Sequence, residues 1–141
     1  MRFRPFGGHR PYVVRLDEGE EILATLERFL ADQQIRLGYF IAFGGFSRVE
    51  LQYFNIRTKA YQTRTIDKQL EVVSLLGNIA VQDGRPKIHA HCIVGDEHEE
   101  TYGGHLKSGT VKPLLEVFLT AIEGELERVE DAARGVHVLR V

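Results

Sequence analysis

The chain has 141 residues, of which 43% are hydrophobic and 27% are charged, and its net charge is −2. This length suits one domain with a real hydrophobic core, and the hydrophobic fraction excludes a disordered chain. The near-neutral charge supplies no overall basic field for nucleic acid, and no segment approaches the roughly 18 apolar residues of a membrane span. Because Cys92 is the one cysteine and the start lacks a secretory signal, we expect a soluble cytoplasmic protein.

Residues 1–11 are interpreted as an N-terminal arm. The first fifteen residues are cationic, with arginines at Arg2, Arg4, Arg10 and Arg15. Such a segment can contact the phosphates of DNA, and it can equally be a solvated, frayed end. We favour the solvated end.

One main helix is predicted after a short first strand. Residues 12–16 are an apolar run that predicts the strand. The helix spans residues 17–34, because Asp17 can cap it and Glu20 follows in capping-box spacing. Its apolar face consists of Ile22, Leu23, Leu26, Phe29 and Leu30. That face requires an apolar surface to pack against.

A buried strand and a hairpin are predicted after the helix. Residues 37–46 are almost entirely apolar or glycine, which predicts a strand that ends at Gly44 and Gly45. Residues 48–55 alternate between apolar and polar, as in a half-exposed strand. Residues 61–66 are rich in threonine and aromatic side chains, so the two segments predict a hairpin.

Three further strands are predicted in the second half of the chain. Residues 70–81 form a long run in which Gly77 indicates a bulge or a close backbone approach. A turn at residues 83–86 leads into a strand over residues 87–94. Residues 110–122 fit both strand alternation and a helical stripe, and we favour the strand.

A short helix and a closing strand are predicted at the end of the chain. Residues 125–134 are charged with helical spacing and stop at Gly135, a residue typical of helix ends. Residues 136–141 then predict the last strand. The predicted fold class is therefore α+β, with a mostly antiparallel β-sheet packed against one main helix and a second short C-terminal helix.

Three histidines carry the strongest functional signal. His89 and His91 project from the same face of their strand, because residues i and i+2 of a strand share a face. His105 follows Gly103 and Gly104, whose small size lets the backbone turn tightly beside a bulky site. Three imidazoles suit a divalent metal, zinc first, and leave a coordination position open to water.

Other interpretations of these residues stay open. A His-x-His pair alone is a weak signal, because such pairs also occur on the wet face of ordinary strands. The acidic loop at residues 96–100, which includes His98, can supply a fourth ligand or orient a histidine, although such runs are more often solvated turns. Cys92 is predicted to lie in the core.

Five motifs occur in order along the chain: Arg15-Leu16-Asp17-Glu18-Gly19-Glu20, Phe43-Gly44-Gly45-Phe46, Leu70-Glu71-Val72-Val73-Ser74-Leu75-Leu76-Gly77-Asn78-Ile79, His89-Ala90-His91 and Gly103-Gly104-His105-Leu106. Together they resemble the PPC domain of plants and prokaryotes, also called domain of unknown function 296, over residues 12–141. The resemblance implies a homotrimer of α+β domains in which His89, His91 and His105 bind a metal. It also implies a DNA-binding label, although the AT-hook of plant members has no counterpart in this chain.

Three functions follow as hypotheses. The first is a trimeric metal protein that acts on or senses a small molecule, and the second is a DNA-binding or transcription-associated protein. The third is a structural trimerisation module. Any catalysis would use metal-activated water with a neighbouring glutamate as proton shuttle, and no residue pattern identifies a substrate.

Overall fold

Eight strands and one helix make up the described part of the chain, which is residues 1–5 and 10–141 of a computed structural model, with residues 2–5 described by backbone alone. In chain order the elements are β1 (Arg2–Pro5), β2 (Pro11–Asp17), α1 (Ile22–Asp32), β3 (Gly38–Asn55), β4 (Ala60–Gln82), β5 (Arg85–Gly95), β6 (Thr101–Ala121), β7 (Arg128–Asp131) and β8 (Val136–Leu139). Of the predicted arm, residues 6–9 lie outside the described residues, and β1 pairs with β2.

Six strands form one antiparallel sheet in the order β1-β2-β6-β3-β4-β5. The beginning of β6 also pairs with β5, so the sheet closes on itself at this end. The predicted antiparallel sheet is thus confirmed. The closure matters for the site, because it brings together β6 and β5, which are separated by β3 and β4 in the strand order.

Two of the three longest strands, β3 and β4, were predicted as separate pieces. Residues 37–46 and 48–55 are one strand, β3, and residues 61–66 and 70–81 are one strand, β4. The strand does not end at Gly44, where the backbone has a φ of +144° and an added Cβ would lie 2.3 Å from the carbonyl oxygen of Leu114. Glycine at this position allows a bulge and close contact with β6 while the ladder continues.

The predicted main helix is confirmed, but its start was misplaced. Glu21 is the N-cap, and its side chain accepts a hydrogen bond from the backbone N–H of Ala24 at 2.7 Å. Glu21 also forms an isolated bridge with Thr110 of β6, which holds it in an extended conformation, so that the helix begins only at Ile22. Four residues of the predicted apolar face are buried, namely Ile22, Leu26, Phe29 and Leu30, and Leu23 packs against the core.

The predicted second helix is wrong, and with it the α+β class. Residues 125–134 contribute to a two-stranded hairpin of β7 and β8, so the described chain is mostly β with one helix of 11 residues. Leu126 accepts a hydrogen bond from the N–H of Val81, and a tight turn closed by Asp131 and Gly135, with a φ of +73°, reverses the chain. These tertiary contacts outweigh a charge spacing that would also suit a helix. Among the described residues no helix is long and apolar enough to cross a membrane.

The sheet leaves a row of large side chains exposed on the face that points away from the core. Register pairs place Phe118, Ile41, Leu76 and His91 side by side on β6, β3, β4 and β5. The first three are 48%, 46% and 57% exposed. Directly opposed residues of an antiparallel pair share one face, so an apolar stripe runs across the sheet and ends at a histidine.

Candidate metal centre

Two adjacent strands supply the three histidines that the sequence singled out. His89 and His91 lie on β5 with Ala90 between them, and Ala90 is buried while the two histidines project outward. His105 lies on β6 directly opposite His91, because the β5–β6 ladder pairs these residues. The strand alternation and the closure of the sheet therefore place three imidazoles on one surface.

The three imidazoles converge closely. One ring nitrogen from each lies within 4.8 Å of the corresponding nitrogens of the other two. The ring centroids are 5.2 Å apart for His89 and His91, 5.0 Å for His89 and His105, and 5.7 Å for His91 and His105. Nitrogens bound to one tetrahedral zinc ion stand about 3.4 Å apart, given the usual zinc–nitrogen bond length. Small side-chain rotations would bring this set onto a single ion.

The surroundings of His89 and His105 favour their neutral form. Burial lowers the pKa of His89 to about 4, with further contributions from the neighbouring charges of His105, Arg128 and His91. Burial also lowers the pKa of His105, helped by His91 and Arg128. A neutral imidazole keeps the lone pair that a metal ion needs, whereas a protonated one does not. The cluster is therefore suited to binding a cation at neutral pH.

A cavity of about 520 Å³ opens beside the histidines. Its wall includes, besides the three histidines, Gln52, Tyr53, Phe54, Tyr61, Gln82, Lys87, Ile88, Gly104, Arg128, Val136 and His137. The ring of Tyr61 lies 5.5 Å from that of His105 and 5.0 Å from that of Phe54, measured between centroids. This volume is in the range of small-molecule sites, which are mostly apolar with a few polar groups.

Arg128 is the most notable wall residue that sequence reasoning missed. Its Nη2 donates to Oδ1 of Asn78 at 2.5 Å, and Asn78 is the register partner of His89. Arg128 is only 9% exposed, and burial lowers the pKa of its guanidinium. It was missed because it belongs to the segment that was predicted as a short charged helix. His137, on the partner strand of the same hairpin, was also overlooked, although it lies in the segment predicted as the closing strand.

The acidic loop lies away from the histidines. Asp96 accepts hydrogen bonds from the backbone N–H groups of His98 and Glu100 and pairs with Lys68, so the loop is a turn organised by its own residues. His98 is mostly exposed, and among the described residues the cavity wall contains no side chain of residues 96–100. The structure therefore favours the interpretation of this loop as a turn away from the histidines.

Two smaller expectations about the site meet different outcomes. Cys92 lies in the core as predicted, where burial raises the pKa of its thiol to about 12. Gly103 and Gly104 do not form a tight turn, since both lie within β6 and pair with β5. An added Cβ on Gly104 would lie 2.8 Å from the carbonyl oxygen of Gln52, so glycine there permits close strand packing.

The fold and the cluster define a class: a mostly antiparallel β domain with three histidines at the edge of a small-molecule-sized cavity. The chain belongs to the Plants and Prokaryotes Conserved (PCC) domain family, whose model matches residues 4–123. The resemblance to the PPC domain is thereby confirmed.

The similar proteins are curated relatives, found by sequence, and solved structures, found by superposition. The bifunctional protein GlmU of Synechococcus sp. (strain JA-3-3Ab) is 31% identical over 140 residues, which are 97% of this chain and 21% of that protein. The chain thus spans about a fifth of the length of the curated relatives that it matches.

Among solved structures, a metal-containing protein from Archaeoglobus fulgidus superimposes with a TM-score of 0.90 at 30% identity, covering 100% of this chain and 99% of that one. A protein from Bacteroides thetaiotaomicron that is described provisionally as DNA-binding gives a TM-score of 0.94 at 25% identity, covering 99% and 96%. A plant- and prokaryote-conserved protein from Pyrococcus horikoshii gives 0.89 at 30%, covering 99% and 95%.

Proposed function

We propose that this chain is a homotrimeric metal protein whose His89, His91 and His105 hold one divalent ion, zinc in the first instance, and whose adjacent cavity binds a small molecule. The single observation that carries this proposal is the convergence of three ring nitrogens within 4.8 Å of one another. The metal-containing relative from Archaeoglobus fulgidus supports it. A bound zinc ion would supply Lewis-acid polarisation to an oxygen of the ligand.

The donor set supports zinc. Three neutral imidazoles are ligands that zinc accepts readily, and they leave a fourth position for water or a ligand. No thiolate competes, because Cys92 points into the core with a strongly raised pKa. The described wall of the cavity holds no aspartate or glutamate, so the expected glutamate proton shuttle has no candidate among these wall residues.

The apolar stripe supports self-association. Tyr39, Ile41, Phe43 and Phe118 are about half exposed on one face of the sheet, together with Leu76 and Ile93. Large contiguous apolar surface on a folded domain usually marks an interface. The number of three subunits comes from the family resemblance.

DNA binding is a second candidate function, favoured by the description of the Bacteroides thetaiotaomicron relative. The net charge of −2 opposes it, since affinity for DNA rests largely on neutralised phosphates. Binding to duplex DNA at low salt that weakens steeply as salt rises would support this function. The absence of binding to duplex DNA at low salt would contradict this function.

Metal content tests the main proposal. Protein purified without a nickel column should contain about one zinc ion per chain after equilibration with zinc and desalting. His105→Ala should lose at least about 100-fold in zinc affinity, more than the loss typical of residues that only orient a ligand. The matched control is His98→Ala, because His98 is exposed and outside the cluster. Equal zinc content in His105→Ala and His98→Ala would contradict the site and favour a purely structural trimerisation module.

A further inference from the structure

The cavity beside the histidines has an unusual balance of charge. Among its described wall residues there is no aspartate or glutamate, whereas Arg128 and Lys87 are both present. Lys87 is already paired, since its Nζ lies 3.0 Å from Oε1 of Glu27. Arg128 has no carboxylate partner within the described chain. With a divalent cation on the histidines, the cavity would carry excess positive charge that no wall residue neutralises.

Arg128 also has unused hydrogen-bond donors. A guanidinium offers five N–H groups. In this chain Nη2 donates to Asn78, and Nη1 makes a long contact of 3.5 Å with the carbonyl oxygen of His137. Nε is buried and has no hydrogen-bond partner among the described residues. Leaving a buried donor of a charged group unpaired is costly, which points to a partner that the chain itself does not provide.

The position of Arg128 ties it to the histidines. Asn78 and His89 are directly opposed on β4 and β5, so their side chains leave the same face of the sheet. Because Arg128 is bonded to Asn78, its guanidinium lies beside His89. Arg128 also lines the same cavity wall as His89, His91 and His105. A ligand within the cavity can therefore reach Arg128 and the histidine cluster together.

We infer that the cavity selects small organic anions, with the planar guanidinium of Arg128 binding a carboxylate or phosphate group of the ligand while a second oxygen faces the metal. The guanidinium fork matches both oxyanions in geometry. Tyr61 and Phe54 on the wall provide an apolar surface for the carbon part of such a ligand. This inference rests on the proposed function, because the metal supplies the other half of the attraction.

Visible spectroscopy of the cobalt-loaded chain tests this inference without any assay of activity. Cobalt stoichiometry is measured first for the wild type, Arg128→Gln and Arg134→Gln. Arg134 is the matched control, since it lies in the turn of the same hairpin, pairs with Asp131 and is absent from the cavity wall. Each protein is then titrated with glycolate, with its neutral isostere glycolamide and with inorganic phosphate, following the cobalt absorption bands.

The expected result is a selective loss. In Arg128→Gln the affinity for glycolate, for phosphate or for both falls about 10- to 100-fold, the range for a lost charged hydrogen bond. Glycolamide binding should change by less than about threefold, and Arg134→Gln should match the wild type. The oxyanion for which the affinity falls identifies the group that Arg128 prefers. Arg128→Lys, which keeps the charge without the planar fork, should give an intermediate loss.

Three results would overturn the inference, and they are distinguishable. Full cobalt content with equal affinities for glycolate, phosphate and glycolamide in Arg128→Gln and the wild type would remove Arg128 as the anion-binding residue and leave the metal site intact. A wild-type chain that takes up no cobalt and no zinc would contradict the metal site and the inference together. Equal losses of affinity for glycolate and glycolamide in Arg128→Gln would mean that Arg128 only holds the hairpin against Asn78 and does not bind the anion.

Discussion

Leu76 and His91 are register partners on β4 and β5, and both are exposed on the same face of the sheet. The apolar stripe and the histidine cluster are therefore parts of one continuous surface. A subunit that packs on the stripe would reach the edge of the cluster. Self-association and access to the cavity are consequently expected to be linked.

Replacing Phe118 on the stripe tests self-association. The Phe118→Glu variant should have a mass near one chain of 16.0 kDa, whereas the wild type should have about three times that mass. The physical reason is that a buried, unpaired carboxylate at an apolar interface is strongly unfavourable. Sedimentation equilibrium measures the masses. Ile56→Glu serves as the control, because Ile56 is 79% exposed in the turn between β3 and β4. A monomeric wild type would contradict the trimer.

Zinc should stabilise the folded chain through its histidines. At a free zinc concentration about 100 times the dissociation constant, the gain of about 2.7 kcal/mol corresponds to a rise of roughly 9 °C in Tm for a chain of this size. Chelation with EDTA should reverse the rise, and His91→Ala should show little of it. Differential scanning calorimetry provides the measurement. An equal rise in wild type and His91→Ala would mean that zinc binds elsewhere.

Asp96 should make stability depend on acidity. Its side chain is 1% exposed, and the hydrogen bond from Lys68, followed by those from His98 and Glu100, lowers its pKa to about 2. A depressed folded-state pKa gives stability that is complete above the unfolded pKa, about 3.9, and that is lost as pH falls towards 2. The wild type should therefore exceed Asp96→Asn in stability at pH 6, with the difference shrinking between about pH 4 and pH 2.

Urea unfolding at a series of pH values measures this difference. Glu97→Gln is the control, because Glu97 is 84% exposed and lies in the same loop. The control should follow the wild type at every pH. A difference between wild type and Asp96→Asn that persists unchanged at pH 2 would contradict the assignment.

Gly77 is expected to be intolerant of a side chain. An added Cβ would lie 2.5 Å from Cε1 of Phe40, so Gly77→Ala should cost about 1–3 kcal/mol of unfolding free energy through overpacking. In the background of Phe40→Leu the same substitution should cost less, because the ring is gone. Gly95→Ala, whose nearest contact would be an ordinary 3.4 Å, is the control. Additive effects of Gly77→Ala and Phe40→Leu would disprove the contact.

The sequence allowed the histidines to be selected, but it did not determine their arrangement. That His89 and His91 share a face follows from the period of a strand, which is local. That His105 lies opposite His91 depends on the register between β5 and β6 and on the closure of the sheet. The choice of His105 from the sequence rested on residue type and on a glycine turn, and Gly104 turned out to lie within a strand.

Arg128 was beyond reach of the sequence for a different reason. Its local spacing suited a helix, and the contact that decides its role is with Asn78, 50 positions earlier in the chain. Likewise, the predicted breaks within β3 and β4 failed because bulges absorb glycine and charged residues while the neighbouring strands keep the ladder in register. In each case contacts distant in sequence outweighed a local pattern.

The hairpin of β7 and β8 is a separate two-stranded sheet, and it begins after residue 123, where the match to the family model ends. It therefore supplies a wall of the cavity without contributing to the ladders that position the three histidines. The proposed metal binding and the proposed selection of a small molecule would then depend on different parts of the chain. Under the proposed function, grafting a different terminal hairpin onto the same sheet should change which small molecules bind while the three histidines still bind zinc.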